Sequence, residues 1–203
     1  MKNSLFSVLV FGAFLLFSGR LCRADAKTAA VILRSPATAI LKVLGNSTLH
    51  KWEANATQLD ISGSLLPVKG SLLEQIKAGA LQSLTVSVAV GGLKSTEGVT
   101  MDHAMFKAMD LAHFTGIQFQ LRSYAVQGAT VTAQGALTIH GVAKNIELKG
   151  LLSSRENKVS VNGSYDLLMS DYGIKPPVMM LGTVRVADKI TIAYDYDLGQ
   201  ANP

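Results

Sequence analysis

Apolar and polar positions alternate through most of this chain. The clearest run is Leu84, Val86, Val88 and Val90, with Thr85, Ser87 and Ala89 between them. A period of two puts alternate side chains on opposite faces of an extended strand. The same alternation marks Trp52 to Ala56, Ile61 to Leu65, Ile117 to Leu121, Val131 to Gly135, Ile146 to Lys149 and Val159 to Leu167. Ile40 to Leu44 is a shorter segment of the same kind. Val184-Arg185-Val186 and Ile190 to Tyr196 predict a last hairpin turning at Ala187-Asp188-Lys189. In Gly135-Ala136-Leu137-Thr138-Ile139-His140-Gly141-Val142, Leu137 and Ile139 share one face, and Ala136, Thr138 and His140 share the other. Gly141 ends that run, and the chain returns through Ile146 to Lys149.

Two stretches change period. Ser71-Leu72-Leu73-Glu74 has the form of a capping box. Leu72, Leu73 and Ile76 then give a short helical face that Gly79 can stop. From Met101 to Ala112, Met101, Ala104, Met105, Ala108, Met109 and Leu111 fall on one side of a helix. Asp102, His103, Lys107 and Asp110 fall on the other, and Thr100 is the expected N-cap. The methionine stripe reads either as packing onto a sheet or as a lid over an apolar cavity, a use that suits methionine's adaptable shape.

Consecutive hairpins with no βαβ alternation predict an all-β fold. The expected form is an antiparallel up-and-down barrel of about eight strands with one or two short helices. Such a barrel can be filled by side chains or can hold one small ligand. Aromatic residues are only 6% of the chain, and the small residues Ala54, Ala56 and Gly135 leave room inside.

Composition changes the picture at the N-terminus. Lys2 precedes an apolar run from Leu5 to Phe17, too short to span a membrane and the length of a signal-peptide core. Ala24-Asp25-Ala26 fits a small-x-small cleavage site. The expectation is a signal peptide over 1–26 and a single barrel domain over 27–203, periplasmic or secreted. An uncleaved anchor is the alternative, since Arg20 and Arg23 follow the run. A lipoprotein site at Cys22 fits less well, because Leu21 stands where a small residue is wanted. Cleavage removes Lys2, Arg20, Arg23 and Asp25, lowering the net charge from +5 to +3. It also removes the one cysteine, so no disulfide or thiol chemistry is expected. The basic residues are scattered without interleaved aromatics, which argues against a nucleic-acid partner.

A search for chemistry returns little. His50, His103, His113 and His140 show no metalloprotease spacing, and no metal site is expected. There is no Gly-x-Ser-x-Gly elbow and no glycine-rich phosphate loop. Asp171, near Pro176-Pro177, reads as a turn residue. No catalytic constellation and no cofactor is expected.

Four pieces in order resemble the YceI-like family of exported lipocalin-like barrels. They are Ser47-Thr48-Leu49-His50-x-Trp52, Ile117-x-Phe119 after a short helix, the run from Gly135 to Val142, and Ser170-Asp171-Tyr172-Gly173-Ile174. The resemblance covers about residues 38–197. It implies a long apolar ligand, a polyisoprenoid or fatty-acyl chain, inside the barrel. The chain departs from the family at Met101-Asp102-His103-Ala104-Met105, Thr115, Ala143 and Met169. Two family arginines are lost there, which points to a more apolar ligand or one with a neutral head.

The residues expected at the ligand are the inward positions Trp52, Phe119, Leu137 and Ile139. The helix residues Met105 and Met109 and the loop residues Tyr172, Met179 and Met180 complete the set. Transient contact with a membrane is compatible with this reading, and nothing in the sequence sets the oligomeric state. The competing reading is a filled structural or interaction barrel acting through a protein partner. An enzyme is a third.

Overall fold

The computed structural model describes residues 31–34, 39–155 and 158–200. The expected leader over 1–26, with Cys22, and the turn tip at 156–157 lie outside the described residues. The strands are β1 (Val31–Arg34), β2 (Ile40–Ser47), β3 (Lys51–Ala56), β4 (Asp60–Leu65), β5 (Leu81–Ala89), β6 (Leu93–Ser95), β7 (Gly116–Gln127), β8 (Thr130–Ile139), β9 (Val142–Arg155), β10 (Lys158–Leu168), β11 (Val178–Met179) and β12 (Val184–Gln200). Helix α1 (Leu72–Lys77) follows β4, and α2 (Val99–Ala108) follows β6. No helix among the described residues is long and apolar enough to cross a membrane.

The strands form one strongly curled antiparallel sheet. Pairing runs β1-β4-β5-β7-β8-β9-β10-β12, and β1 also pairs with β12, so this circuit returns to its start. β2 pairs with β12 and β3, and β3 pairs with β6. Twelve strands replace the expected eight because three rungs of the barrel are broken in two and β11 is a further two-residue strand paired with β12. β1 and β2 pair with successive stretches of β12, and β3 with β4 and β5 with β6 each make one bent rung. Two of the bends meet: the Thr57 backbone N–H and hydroxyl both donate to the Gly92 carbonyl at 2.9 Å. Thr57 lies between β3 and β4, and Gly92 lies in the 3-10 turn between β5 and β6. Bends at matched levels of neighbouring strands let a sheet turn a corner without losing its ladder.

The turn between β8 and β9 is His140-Gly141, with φ of +51° and +74° and Ile139 paired to Val142 across it. Two left-handed residues make the tight hairpin turn that matches strand twist. The Phe114 ring covers Gly141 and lies 4.4 Å from the His140 ring, centroid to centroid. His140 Nδ1 is 3.2 Å from the Tyr172 carbonyl. The family-like run thus fixes a turn and ties it to the loop after β10.

Three sequence expectations are corrected. The residues from Val184 to Tyr196 are not a hairpin. They lie in the single strand β12, with a bulge between Val186 and Ile190. Asp188 makes no turn there; it accepts the Ser170 backbone N–H at 2.8 Å, which pins the loop after β10 to β12. Thr100 does not cap α2. The N-cap is Gly98, at φ +88°. Asp102 is not on a solvent face: it is buried, accepts the Ser95 backbone N–H at 2.7 Å and lies 3.6 Å from Lys94 Nζ. It therefore anchors α2 to β6. At the far end, the capping box of Ser71 and Glu74 is formed. Tyr124 donates to the Ile76 carbonyl at 2.8 Å and accepts the Leu81 N–H at 3.1 Å, tethering α1 to the barrel.

Candidate functional site

The inside of the curled sheet holds two apolar clusters. One is centred on Trp52, Phe119, Leu137, Ile139 and α2; the other is centred on Leu33, Leu65, Leu152, Val159 and α1. Three small chambers run between them. The one under α2 is about 70 Å³ and is lined by Trp52, Met101, Met105, Met109, Ile139 and Ile190 among others. The middle one is about 90 Å³ and includes Phe119, Leu137, Leu148, Tyr165, Ile192 and Tyr194. The one over α1 is about 50 Å³ and includes Ile76, Phe119, Leu148, Tyr194, Tyr196 and Leu198.

Neighbouring chambers share walls. Val43, Leu93, Ile117 and Ile192 border the first two, and Phe119, Leu148, Tyr194 and Tyr196 border the last two. One strand passes along all three. Alternate residues of β12, from Ile190 through Ile192, Tyr194 and Tyr196 to Leu198, face inward in sequence. Eight residues of strand rise about 26 Å. A barrel tilt of roughly 40° brings that to about 20 Å along the axis. The interior is therefore long and narrow. No charged side chain among the described residues lines any of the three chambers.

Glycines keep aromatic rings against the wall. The Trp52 indole lies over Gly45, the Phe119 ring over Gly135 and the Tyr194 ring over Gly163. A Cβ at any of the three would overlap the ring and push it toward the lumen. Tyr194 is held there by donating to the Lys149 carbonyl at 2.9 Å. Burial pushes the Tyr194 hydroxyl up to about 12 and raises that of Tyr196 as well. Both residues nevertheless keep accessible surface. That surface faces the internal chambers, which is why desolvation and partial accessibility coexist.

Of the residues expected at a ligand, Trp52, Met105, Met109 and Ile139 line the chamber under α2. Phe119 and Leu137 line the middle chamber. Met179 and Met180 line an open depression of about 350 Å³ outside it. Tyr172 lines none of these. It is 1% exposed, its hydroxyl is buried without a hydrogen-bond partner, and burial first, then Tyr165 and Asp171, push that hydroxyl up to about 12. Tyr165, Tyr194, Tyr196, Leu148 and Ile192 also line the chambers and lie outside the expected set. The alternation from Ile190 to Tyr196 was the signal for three of them.

The polar residues considered for chemistry are dispersed. Asp171 pairs with Lys144 at 2.9 Å, His113 Nδ1 is 2.9 Å from Asp110, and His50 lies 3.7 Å from Glu97. No group of three potential metal ligands occurs among the described residues.

No curated protein matches the chain. Solved structures share the fold. A polyisoprenoid-binding domain from Saccharophagus degradans, implicated in plant cell wall breakdown, is 11% identical, with a TM-score of 0.64 over 85% of this chain and 99% of its own. BcnA of Burkholderia cenocepacia is 14% identical, with a TM-score of 0.61 over 79% and 96%. The YceI protein of Campylobacter jejuni is 16% identical, with a TM-score of 0.56 over 74% and 85%. The YceI-like domain model matches residues 44–198, and the chain belongs to the YceI-like family.

Proposed function

We propose that this protein is an exported, non-enzymatic carrier of an apolar lipid, a polyisoprenoid or a fatty-acyl chain, held lengthwise inside the barrel. The observation that carries this reading is the row of three chambers along β12, apolar throughout and bordered by shared walls. None is as large as the roughly 150 Å³ apolar cavity that takes up benzene. A compact ligand therefore does not fit any one of them. A flexible linear chain fits by threading all three and displacing the side chains between them.

The energetics suit a ligand without a charged head. Burying apolar chain is worth about 0.8 kcal/mol per CH₂, so fifteen carbons gain on the order of 12 kcal/mol before association and ordering costs. Tyr165, Tyr194 and Tyr196 are among the lining residues and carry neutral polar groups, which suit a neutral head better than a charged one. The solved polyisoprenoid-binding domain of the same fold supports the choice of ligand class. Export, to the periplasm or outside, rests on the expected signal peptide.

Titration with a fluorescent fatty-acid probe, followed by displacement with isoprenoid alcohols, tests this. One-to-one saturation and displacement by C15 or longer alcohols are expected. Absence of saturable probe binding favours the filled interaction barrel instead.

A further inference from the structure

The open depression outside the α2 chamber has a floor and a rim of different character. Its floor, Trp52, Met101 and Val186, also lines the chamber beneath, so these side chains form a wall common to the depression and the lumen. Its rim comes from three separate segments. Leu49, on the β2–β3 turn, and Met180, after β11, line the opening and are 67% and 74% exposed. Val99, at the start of α2, and Leu181 stand next in sequence to the lining residues Thr100 and Met180 and are 67% and 108% exposed. A lone exposed leucine needs no explanation, but two large apolar tips lining one opening with two more beside them do.

The tips are held out. Met180 and Leu181 are both left-handed, at φ +50° and +53°, and Gly182 follows at +94°. Thr183 fastens this loop, its hydroxyl donating to the Met180 carbonyl at 2.7 Å. Thr48 fastens it to the Leu49 turn, its hydroxyl donating to the Thr183 carbonyl at 3.0 Å. The Thr48 N–H donates to the Arg185 carbonyl at 2.9 Å. Leu49 and Leu181 thus project from one braced unit.

Basic residues flank the lining. Lys51 and Arg185, next in sequence to the lining residues His50 and Val184, are exposed and form no ion pair among the described residues, while Glu97, in the lining itself, faces His50 at 3.7 Å. Separate apolar fingers around a hole, backed by basic residues, suit a soft surface that fingers can enter. A rigid protein partner wants a contiguous patch. We propose that Leu49, Val99, Met180 and Leu181 insert into an anionic lipid bilayer and seat the opening on the membrane. This rests on the carrier reading, and it makes this opening the path by which the lipid enters and leaves.

The test compares wild type with the double variant Leu49→Ser/Leu181→Asp. Both positions are exposed, so folding is not at issue. Co-sedimentation is measured with phosphatidylglycerol/phosphatidylcholine vesicles and with phosphatidylcholine alone. Affinity for a fluorescent fatty acid is measured separately in vesicle-free buffer. Wild type should partition onto the anionic vesicles, less so at high salt, and the variant should lose at least ten-fold with its probe affinity unchanged. Equal partitioning of the two proteins, or no partitioning of wild type, overturns the proposal. So does a concentration-dependent dimer in sedimentation velocity that the same variant abolishes, since the tips then meet a second copy. Wild type that binds vesicles but no probe sinks the carrier reading and leaves the docking surface standing.

Discussion

Gly45 and Trp52 face each other in direct register across β2 and β3, and the indole occupies the space a side chain on Gly45 would need. The indole N–H donates to the Asn46 carbonyl at 3.2 Å. Trp52 is the one tryptophan in the chain and lines the chamber under α2. It therefore reports on that chamber. Gly45→Ala must lift the indole off the wall, and overpacking of this kind costs roughly 1–3 kcal/mol. Chemical denaturation should show that loss, with tryptophan emission moved to longer wavelength. Unchanged emission and stability would mean the ring is not seated on Gly45.

Tyr172 supplies a prediction of opposite sign. Its hydroxyl is buried and unpartnered, and removing such a group recovers a desolvation cost of about 1–3 kcal/mol. Tyr172→Phe should be at least as stable as wild type. A clear loss of stability in urea would show that the hydroxyl has a partner.

Alkaline pH should expose the same burial. Burial pushes the Tyr172 and Tyr194 hydroxyls up from the usual 10 to about 12 in the folded protein. Between these values the folded state holds protons that the unfolded chain has released, so stability falls as pH rises. It is fully present below about pH 10 and is lost progressively toward pH 12. Replacing both residues by Phe should make this limb shallower in denaturation measured from pH 8 to pH 12, the remainder belonging to Tyr196.

Met105 separates a lid from plain packing. It is half-buried on α2 and lines the chamber beneath the helix, whereas Met101 and Met109 are buried more deeply. An uncompensated charge in an apolar site costs several kcal/mol, but here lifting the helix relieves it. Met105→Asp should abolish binding of a fluorescent fatty acid while lowering stability only modestly. A well-folded Met105→Asp with wild-type probe affinity removes the lid.

Leu148 stands between the middle chamber and the one over α1. Leu148→Trp should block the inner third of the path. Affinity for long alcohols should fall at least ten-fold while that for short ones holds. Equal loss across the series would contradict a threaded chain.

The strands, the capping box and the end of the β8 run at Gly141 are legible because each is written in local order, whereas the part of His140 in the turn and the start of β9 at Val142 are not. A period of two, a Ser-x-x-Glu and a glycine after a strand need no distant partner. What sequence could not show depends on partners far along the chain. Thr57 breaks its rung by bonding to Gly92, 35 residues on. Asp188 looks like a turn residue, but Ser170 holds it within a continuous strand. Asp102 looks like a surface charge until the β6 backbone supplies its donor. In the lumen, the alternation on β7 and β8 led to Phe119, Leu137 and Ile139. The same alternation on β12 was hidden by the expected hairpin. Tyr172 carries a family motif, yet it serves the turn at His140 and not the lumen wall.

The central claim is that the barrel carries a linear apolar lipid. Mass spectrometry of an organic-solvent extract of the natively purified protein tests it most directly. The account predicts a stoichiometric isoprenoid or fatty-acyl species, depleted from an extract of Leu148→Trp. An extract with no stoichiometric lipid, from protein that also fails to take one up when offered, would contradict it.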